Sequence, residues 1–311
     1  MRIGIFIGDA SGERTTVAGL LDNARAAESA GFATGWVPHI PWSLDGLSAL
    51  ALAGTVTERI ELGTAVMPTY TRHPLSMAQQ ALSAQAAAGG RVTLGIGPSH
   101  PVVIEKMYGL AYHRPIAHTR EYIEVLRTAF AGSGQVVHEG ELYRTDAMLA
   151  VPGGSPLPIL VAALAPQMLK LTGEIADGTI AYWANERAIG EHVVPRLGAA
   201  AAAAGRPAPR VVTGLPIAIV DDPDAVRDQA VVALDAYTAI PTYQRILARG
   251  GAAHPVEVAV IADEAGALAR LRSFADAGST DLCAAPLGLG PDPVATRRRT
   301  IDFLAGLTPA L

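Results

Sequence analysis

The chain has 311 residues, 50% hydrophobic and 17% charged, with a formal net charge of −5, a balance that supports one large core and excludes a disordered or fibrous chain. No stretch gathers the Lys and Arg that a nucleic-acid surface needs, and no apolar run reaches the roughly 18 residues of a membrane span. The single cysteine, Cys283, excludes an internal disulfide and a multi-cysteine metal site, which places the chain by expectation in the cytoplasm.

The opening apolar run, residues 2–7, stops at Gly8-Asp9 and is too short for a signal-peptide core; it reads as a first strand. A helix over 15–29 closes at Ala30-Gly31, and a strand over 34–38 follows. Next come a helix at 45–57, a strand at 60–66, and a helix at 74–88 ending in Ala88-Gly89-Gly90 before a strand at 92–97. An irregular stretch, 98–115, leads to a helix at 116–131. A second irregular segment, 133–156, holds an expected hairpin of Val136–His138 and Leu142–Arg144 about Glu139-Gly140-Glu141. Beyond it lie a strand at 157–162, a helix at 166–176 closing at Ala176-Asp177-Gly178, a strand at 178–182 and a helix at 186–204. The last part reads as strand 211–219, helix 223–249, a short apolar run Val256–Ile261 that can add a strand, strand 280–286 after Ala277-Gly278, and helix 292–305.

Glycine recurs where these helices stop because it enters the left-handed conformation of a helix C-terminus without a Cβ penalty. The strands are continuous apolar runs rather than alternating ones, as expected when helices cover both faces of a parallel sheet. Eight strands and eight helices in alternation predict a single-domain (β/α)8 TIM barrel over 1–311, with insertions after strands four and seven. An open doubly wound sheet is the alternative from pattern alone. The run Arg297-Arg298-Arg299 reads as a solvated helix face.

In a barrel of this kind chemistry sits at the C-terminal ends of the strands. After strand two comes Pro38-His39-Ile40-Pro41-Trp42, a proton-exchanging imidazole near a flat ring, or equally a packed loop histidine. After strand three, Gly63 to Tyr70 sets small residues before a bulkier run, which suits either close approach of a ligand or plain barrel packing. Strand four ends Gly95-Ile96-Gly97-Pro98-Ser99-His100. This resembles a dinucleotide fingerprint but fails as one, because His100 replaces the third glycine, Pro98 interrupts the turn and no helix is expected directly after it. A ligand-facing loop and an exposed turn both fit. Strand five ends Val161-Ala162-Ala163-Leu164-Ala165-Pro166, where a small-residue loop opens a helix whose free amides suit a phosphate, or form an ordinary connection. Signatures for an esterase nucleophile, a phosphate-binding Walker loop or a zinc protease are missing, and the scattered histidines give metal catalysis no support.

Taken together and in order, these pieces resemble the luciferase-like monooxygenase superfamily, and within it the actinobacterial branch that uses the deazaflavin coenzyme F420. The resemblance spans nearly the whole chain. It rests on Ile3-Gly4-Ile5, His39-Ile40-Pro41-Trp42, Leu62–Pro74 ending Arg72-His73-Pro74, Gly90–Gly97, Arg120-Glu121-Tyr122 and Pro158–Ala163. It implies a non-prolyl cis peptide at Thr64-Ala65 or Ala65-Val66, and a flavin-type ring held by Trp42, Thr64, Ala65, Val66 and Met67. It further implies that Gly97, Pro98 and Ser99, with Ala162, Ala163, Leu164 and Ala165, hold the ribityl chain and phosphate. His39 is implied to lie beside the reactive face, with His39 or His100 exchanging the proton; some relatives carry a carboxylate where this chain has His100. The implied activity is hydride transfer between F420 and a small organic substrate, the cofactor carrying the hard chemistry. FMN with molecular oxygen, as in a monooxygenase, and a non-catalytic flavin-binding barrel are the alternatives. A homodimer is implied too. Substrate choice is expected to rest with the loops 98–115, 133–156 and 238–255, where Tyr108 and Tyr112, and nearby Tyr237 and Tyr243, suggest moderate hydrophobicity.

Overall fold

The first half of the apolar runs becomes β1 (Arg2–Phe6), β2 (Thr34–Val37), β3 (Glu61–Thr64), β4 (Met67–Pro68) and β5 (Val92–Gly97) in the computed structural model, which describes residues 1–9 and 15–308. Between them lie α1 (Val17–Ser29), α2 (Gly46–Gly54) and α3 (Pro74–Ala87), and after them α4 (Pro115–Phe130) with the hairpin β6 (Gln135–Glu139) and β7 (Arg144–Met148). The second half supplies β8 (Ile159–Val161), α5 (Pro166–Ile175), β9 (Gly178–Tyr182), α6 (Glu186–Ala188), α7 (Val194–Ala203) and β10 (Arg210–Ile219). Then come α8 (Arg227–Leu234), α9 (Pro241–Arg249), β11 (Val260–Ala262), α10 (Glu264–Asp276), β12 (Asp281–Pro286) and α11 (Pro293–Gly306). Gly31, Gly90 and Gly278, at the helix ends marked in the sequence, have φ of 82°, 88° and 103°.

The sheet runs β12-β1-β2-β3-β5-β8-β9, and β10 pairs in parallel with both β9 and β12, so eight staves close into a TIM barrel. The open-sheet alternative is thereby excluded. β3 and β4 form one stave that pairs with β5 at both ends, and β11 adds a ninth parallel strand against the far end of β10. Inside the barrel Trp36, Leu160, Ile180, Val212 and Cys283 form a separate buried cluster. Trp36 fits because β3 carries Gly63 opposite it; a Cβ there would lie 2.3 Å from the indole ring. Partly buried Phe6, Ala65 and Val66 cap that cluster toward the mouth. At the opposite end Arg210 bridges Glu61 at 2.8 Å and Asp281 at 2.7 Å, and Arg2 meets Glu61 at 2.6 Å, tying four strand beginnings together away from the chemistry.

Four features differ from the sequence-based expectation. The helix expected over 223–249 is an insertion of α8, a 3-10 turn and α9, broken where Pro241 lacks an N–H. The barrel's own seventh helix is α10, which only the Ala277-Gly278 stop signals. The helix expected over 186–204 contains a π-helical turn at Ile189–Val193, just before Pro195. Proline cannot donate to the preceding turn, and Arg196 Nη1 instead donates to the carbonyls of Glu191 and His192 at 3.5 and 3.2 Å. A short helical stretch over 101–107 also follows the strand-four loop directly, where none is expected. Of the run Val256–Ile261, only its end is strand. The basic run near the C-terminus contributes ion pairs, since Arg299 meets Glu264 at 2.7 Å and Asp221 at 2.8 Å. No helix among the described residues is long and apolar enough to cross a membrane.

Candidate active site

The floor of the mouth is set by the β3–β4 stave. Thr64 Oγ1 donates to the Gly95 carbonyl at 2.7 Å and accepts from the Gly95 N–H at 2.9 Å, so this side chain is fully used in joining two staves. The next peptide but one, Ala65-Val66, is cis, and pairing resumes with Met67 opposite Ile96. This is one of the two positions the resemblance allows. Thr64 and Met67 are completely buried, so of the four stave-three residues expected to touch a ring only Ala65 and Val66 keep accessible side-chain surface, alongside Phe6.

His39 follows β2. Its Nδ1 lies 3.3 Å from the Gly46 amide nitrogen and 3.4 Å from Asp45 Oδ2, and Nε2 makes no hydrogen bond among the described residues. Asp45 caps α2 through the Ser48 N–H at 3.0 Å and also binds Arg72, which extends to Gln80 at 3.0 Å. Burial pushes the His39 imidazole below its ordinary value; Asp45 opposes that shift and Arg72 adds to it. Burial alone would raise Asp45, yet the Arg72 contact and the Ser48 amide hold its carboxyl below the usual range, so it stays ionised. Nδ1 therefore has a partner in either state: bare, it accepts from Gly46; protonated, it donates to Asp45. The ring can take or give a proton at Nε2 without stranding Nδ1. Neither Asp45 nor Arg72 is legible as a site residue from sequence, because Arg72 reaches the β2–α2 loop from the loop after β4.

Trp42, expected as the flat wall beside His39, is 60% exposed and makes no ring contact among the described residues. The wall is built elsewhere. Trp183, immediately after β9, is fully buried with a left-handed φ of 63°, and its ring lies 4.8 Å from Tyr237 and 5.1 Å from Tyr182. Tyr243 of α9 packs edge-on to His100 at 5.1 Å, and burial pushes His100 below the ordinary imidazole value. In the sequence Trp183 is marked only as the residue following an expected strand.

Of the strand-four loop, Gly97 accepts at its carbonyl from the Thr69 N–H at 2.9 Å, Pro98 is buried and Ser99 takes a left-handed φ of 61°. Across from it the Ala162 N–H meets the Ile96 carbonyl at 2.8 Å, Ala163 is fully buried, and the Leu164 carbonyl meets His192 Nε2 at 2.8 Å. Ala165 caps α5 without a side-chain acceptor and Pro166 follows, which leaves the first amides of that helix for an anion or water.

The other expected loops pack beside the end of the β3–β4 stave, Tyr112 on Tyr70 and Tyr143 on His118. The β6–β7 hairpin is held along α4 by the Glu121 carboxylate, which accepts from the amides of Glu141, Leu142 and Tyr143 at 3.2, 2.8 and 2.9 Å. Tyr112 packs on Tyr70, which stacks on His118 at 3.8 Å. His118 Nε2 bonds Thr69 Oγ1 at 2.8 Å, and burial, aided by His113, pushes its pKa down to about 4. Because folding keeps this histidine neutral, stability falls as pH drops from the unfolded value near 6.5 toward 4, by up to about 3 kcal/mol. Urea unfolding at pH 7 and pH 4.5 should show this loss in the wild type and a smaller one in His118→Gln; equal losses would refute it.

The luciferase-like monooxygenase family model matches residues 1–299. A putative coenzyme F420-dependent oxidoreductase of Mycobacterium tuberculosis is 34% identical over 178 residues, 53% of this chain and 51% of that protein, so this chain spans about half the length of that relative. The 5,10-methylenetetrahydromethanopterin reductase of Methanolobus tindarius is 29% identical over 249 residues, covering 79% of this chain and 74% of its own. Among solved structures, the coenzyme F420 dependent tetrahydromethanopterin reductase from Methanopyrus kandleri superposes with a TM-score of 0.81 at 24% identity, covering 98% of this chain and 96% of that one. At that identity the superposition speaks for the fold.

Proposed function

Since the chain belongs to the luciferase-like monooxygenase family, we propose that it is an F420-dependent oxidoreductase acting on a small organic substrate. The observation that carries this reading is the mouth itself, where Ala65 and Val66 form an apolar floor with Phe6 and His39 stands at the adjacent strand end. The Mycobacterium tuberculosis relative named for F420 supports the choice of cofactor.

The residues fit a deazaflavin. Ala65 and Val66 offer an apolar surface for its ring, the small, partly exposed Ala162 leaves room for a chain beside the backbone of Gly97 and Ala163, and the uncapped start of α5 suits its phosphate. Ser99 and Leu164 belong to the same two loops. When bound, such a group donates or accepts a hydride at its central ring carbon. This chain's part is to orient the partners, exclude water and move the proton. His39 does so at Nε2, with Asp45 stabilising the protonated ring and Arg72 holding Asp45. His100, kept neutral by burial, is the second imidazole able to hydrogen-bond a substrate.

Titrating the purified protein separately with F420 and with FMN checks the reading. Saturable micromolar binding of F420, weaker binding of FMN and no oxygen uptake during turnover are expected. Tighter FMN binding with oxygen uptake would assign a monooxygenase instead, and binding without any turnover that depends on His39 would assign a non-catalytic barrel. The same reading carries a homodimer, for which light scattering should return twice the chain mass.

A further inference from the structure

Beyond the two imidazoles, the mouth contains a wall for which the proposed hydride transfer has no direct use. Tyr182 and Trp183 come from the end of β9, Tyr237 and Tyr243 from the insertion after β10, and His100 from the strand-four loop. Their rings touch in series: Tyr182 to Tyr237 at 6.4 Å, Tyr237 to Trp183 at 4.8 Å, Tyr237 to Tyr243 at 6.0 Å and Tyr243 to His100 at 5.1 Å. Trp183 is the buried anchor, whereas the three tyrosines and His100 remain partly exposed.

Two properties of this wall select a ligand. First, it carries no charge at neutral pH. Burial raises the phenols of Tyr182, Tyr237 and Tyr243 and lowers the imidazole of His100, and no Lys, Arg, Asp or Glu belongs to it. An ionic substrate group would lose its hydration there without a counter-charge. Second, the hydroxyls of Tyr182, Tyr237 and Tyr243 make no hydrogen bond to protein among the described residues and belong to partly exposed side chains, so they can donate to a bound molecule in place of solvent. Three donors without protein partners, set among electron-rich rings, complement a flat electron-poor π-system with a carbonyl oxygen.

We propose that the substrate is a neutral, planar, conjugated carbonyl compound, stacked against Tyr237 and Tyr243 and accepting a hydrogen bond at its carbonyl oxygen from a phenol of this wall. The inference rests on the oxidoreductase reading and gives it a substrate class. In the reducing direction the substrate gains a hydride at its electrophilic carbon and a proton at the neighbouring carbon or the oxygen. The hydride and its two electrons come from reduced deazaflavin, which leaves oxidised, and the proton comes from the protonated ring of His39 and is restored from solvent.

The test is a binding comparison on the whole protein using coumarin, a neutral planar conjugated lactone, and coumarin-3-carboxylate, its anionic counterpart, by calorimetry, with F420 titrated in parallel. Coumarin should bind saturably and at least about tenfold more tightly than the carboxylate. Tyr243→Leu and Tyr237→Leu should each weaken coumarin about fivefold or more while F420 affinity stays within about twofold. Equal or tighter binding of the carboxylate, no coumarin binding up to millimolar concentration, or folded tyrosine variants with unchanged coumarin affinity would each overturn the proposal. If a variant fails to fold, the wild-type comparison of the two coumarins decides alone. Coumarin binding that survives while F420 does not bind would sink the cofactor reading and leave the wall's selectivity standing.

Discussion

Replacing Gly95 by alanine is expected to destabilise the protein by about 3 kcal/mol or more, the upper end of what overpacking does. A Cβ there would lie 2.0 Å from the Thr64 carbonyl oxygen and 2.7 Å from Ile180 Cδ1. Most overpacked side chains relieve a clash by changing rotamer. Here the nearest atom is backbone, and that backbone is held by both Thr64 hydrogen bonds to the same glycine. The stave would have to separate from β5 just before the Ala65-Val66 peptide. Lost stability should therefore come with lost F420 binding. Gly198→Ala in α7 is the control: nothing lies within 4 Å of the place its methyl would take, and a helical alanine should add roughly 0.5 to 1 kcal/mol. Urea unfolding of the two variants decides it; equal midpoints would show that the stave can absorb the added methyl.

His39→Ala should lower kcat by about a hundredfold or more, as loss of a proton-transfer group does, while F420 affinity changes by no more than about threefold. A parallel loss of affinity would show His39 to be a binding group. Its pH dependence has a definite sign. Burial holds the folded imidazole below its ordinary 6.5, so in the oxidising direction, which needs a bare ring nitrogen to take the proton, the rate should rise with pH through a value under 6.5 and then level off. In the reducing direction the same group should make the rate fall across that window. Asp45→Asn removes the charge that favours the protonated ring and should move the limb to still lower pH in both directions. A profile unmoved by Asp45→Asn would detach Asp45 from the proton path.

The eight staves are legible in the sequence because they are short apolar runs, several of them preceded by a helix that ends on glycine, and both signals are local. The strand ends follow from them. The cis bond does not: resemblance to the family narrows it to Thr64-Ala65 or Ala65-Val66, and the structure places it at the second. Local signals fail where two helices share one interval. The insertion over α8 and α9 takes the place expected of α10, since Ala-rich helices in that region look alike until one is seen against the barrel. The flat ring expected from Trp42 is supplied instead by Trp183 and the insertion tyrosines. Trp42 is near His39 in the chain, but that nearness does not give its ring anything to pack on.

What the chain's order alone determined is therefore the barrel and the addresses of its mouth. The tertiary structure decided which groups meet there. His39 and Asp45 share the loop after β2 while Arg72 comes from the loop after β4, 27 residues from Asp45, and the aromatic wall joins His100 to residues beyond position 180. Such partnerships depend on closure of the barrel, which brings distant strand ends onto one rim, and no periodicity or spacing in the sequence encodes that distance.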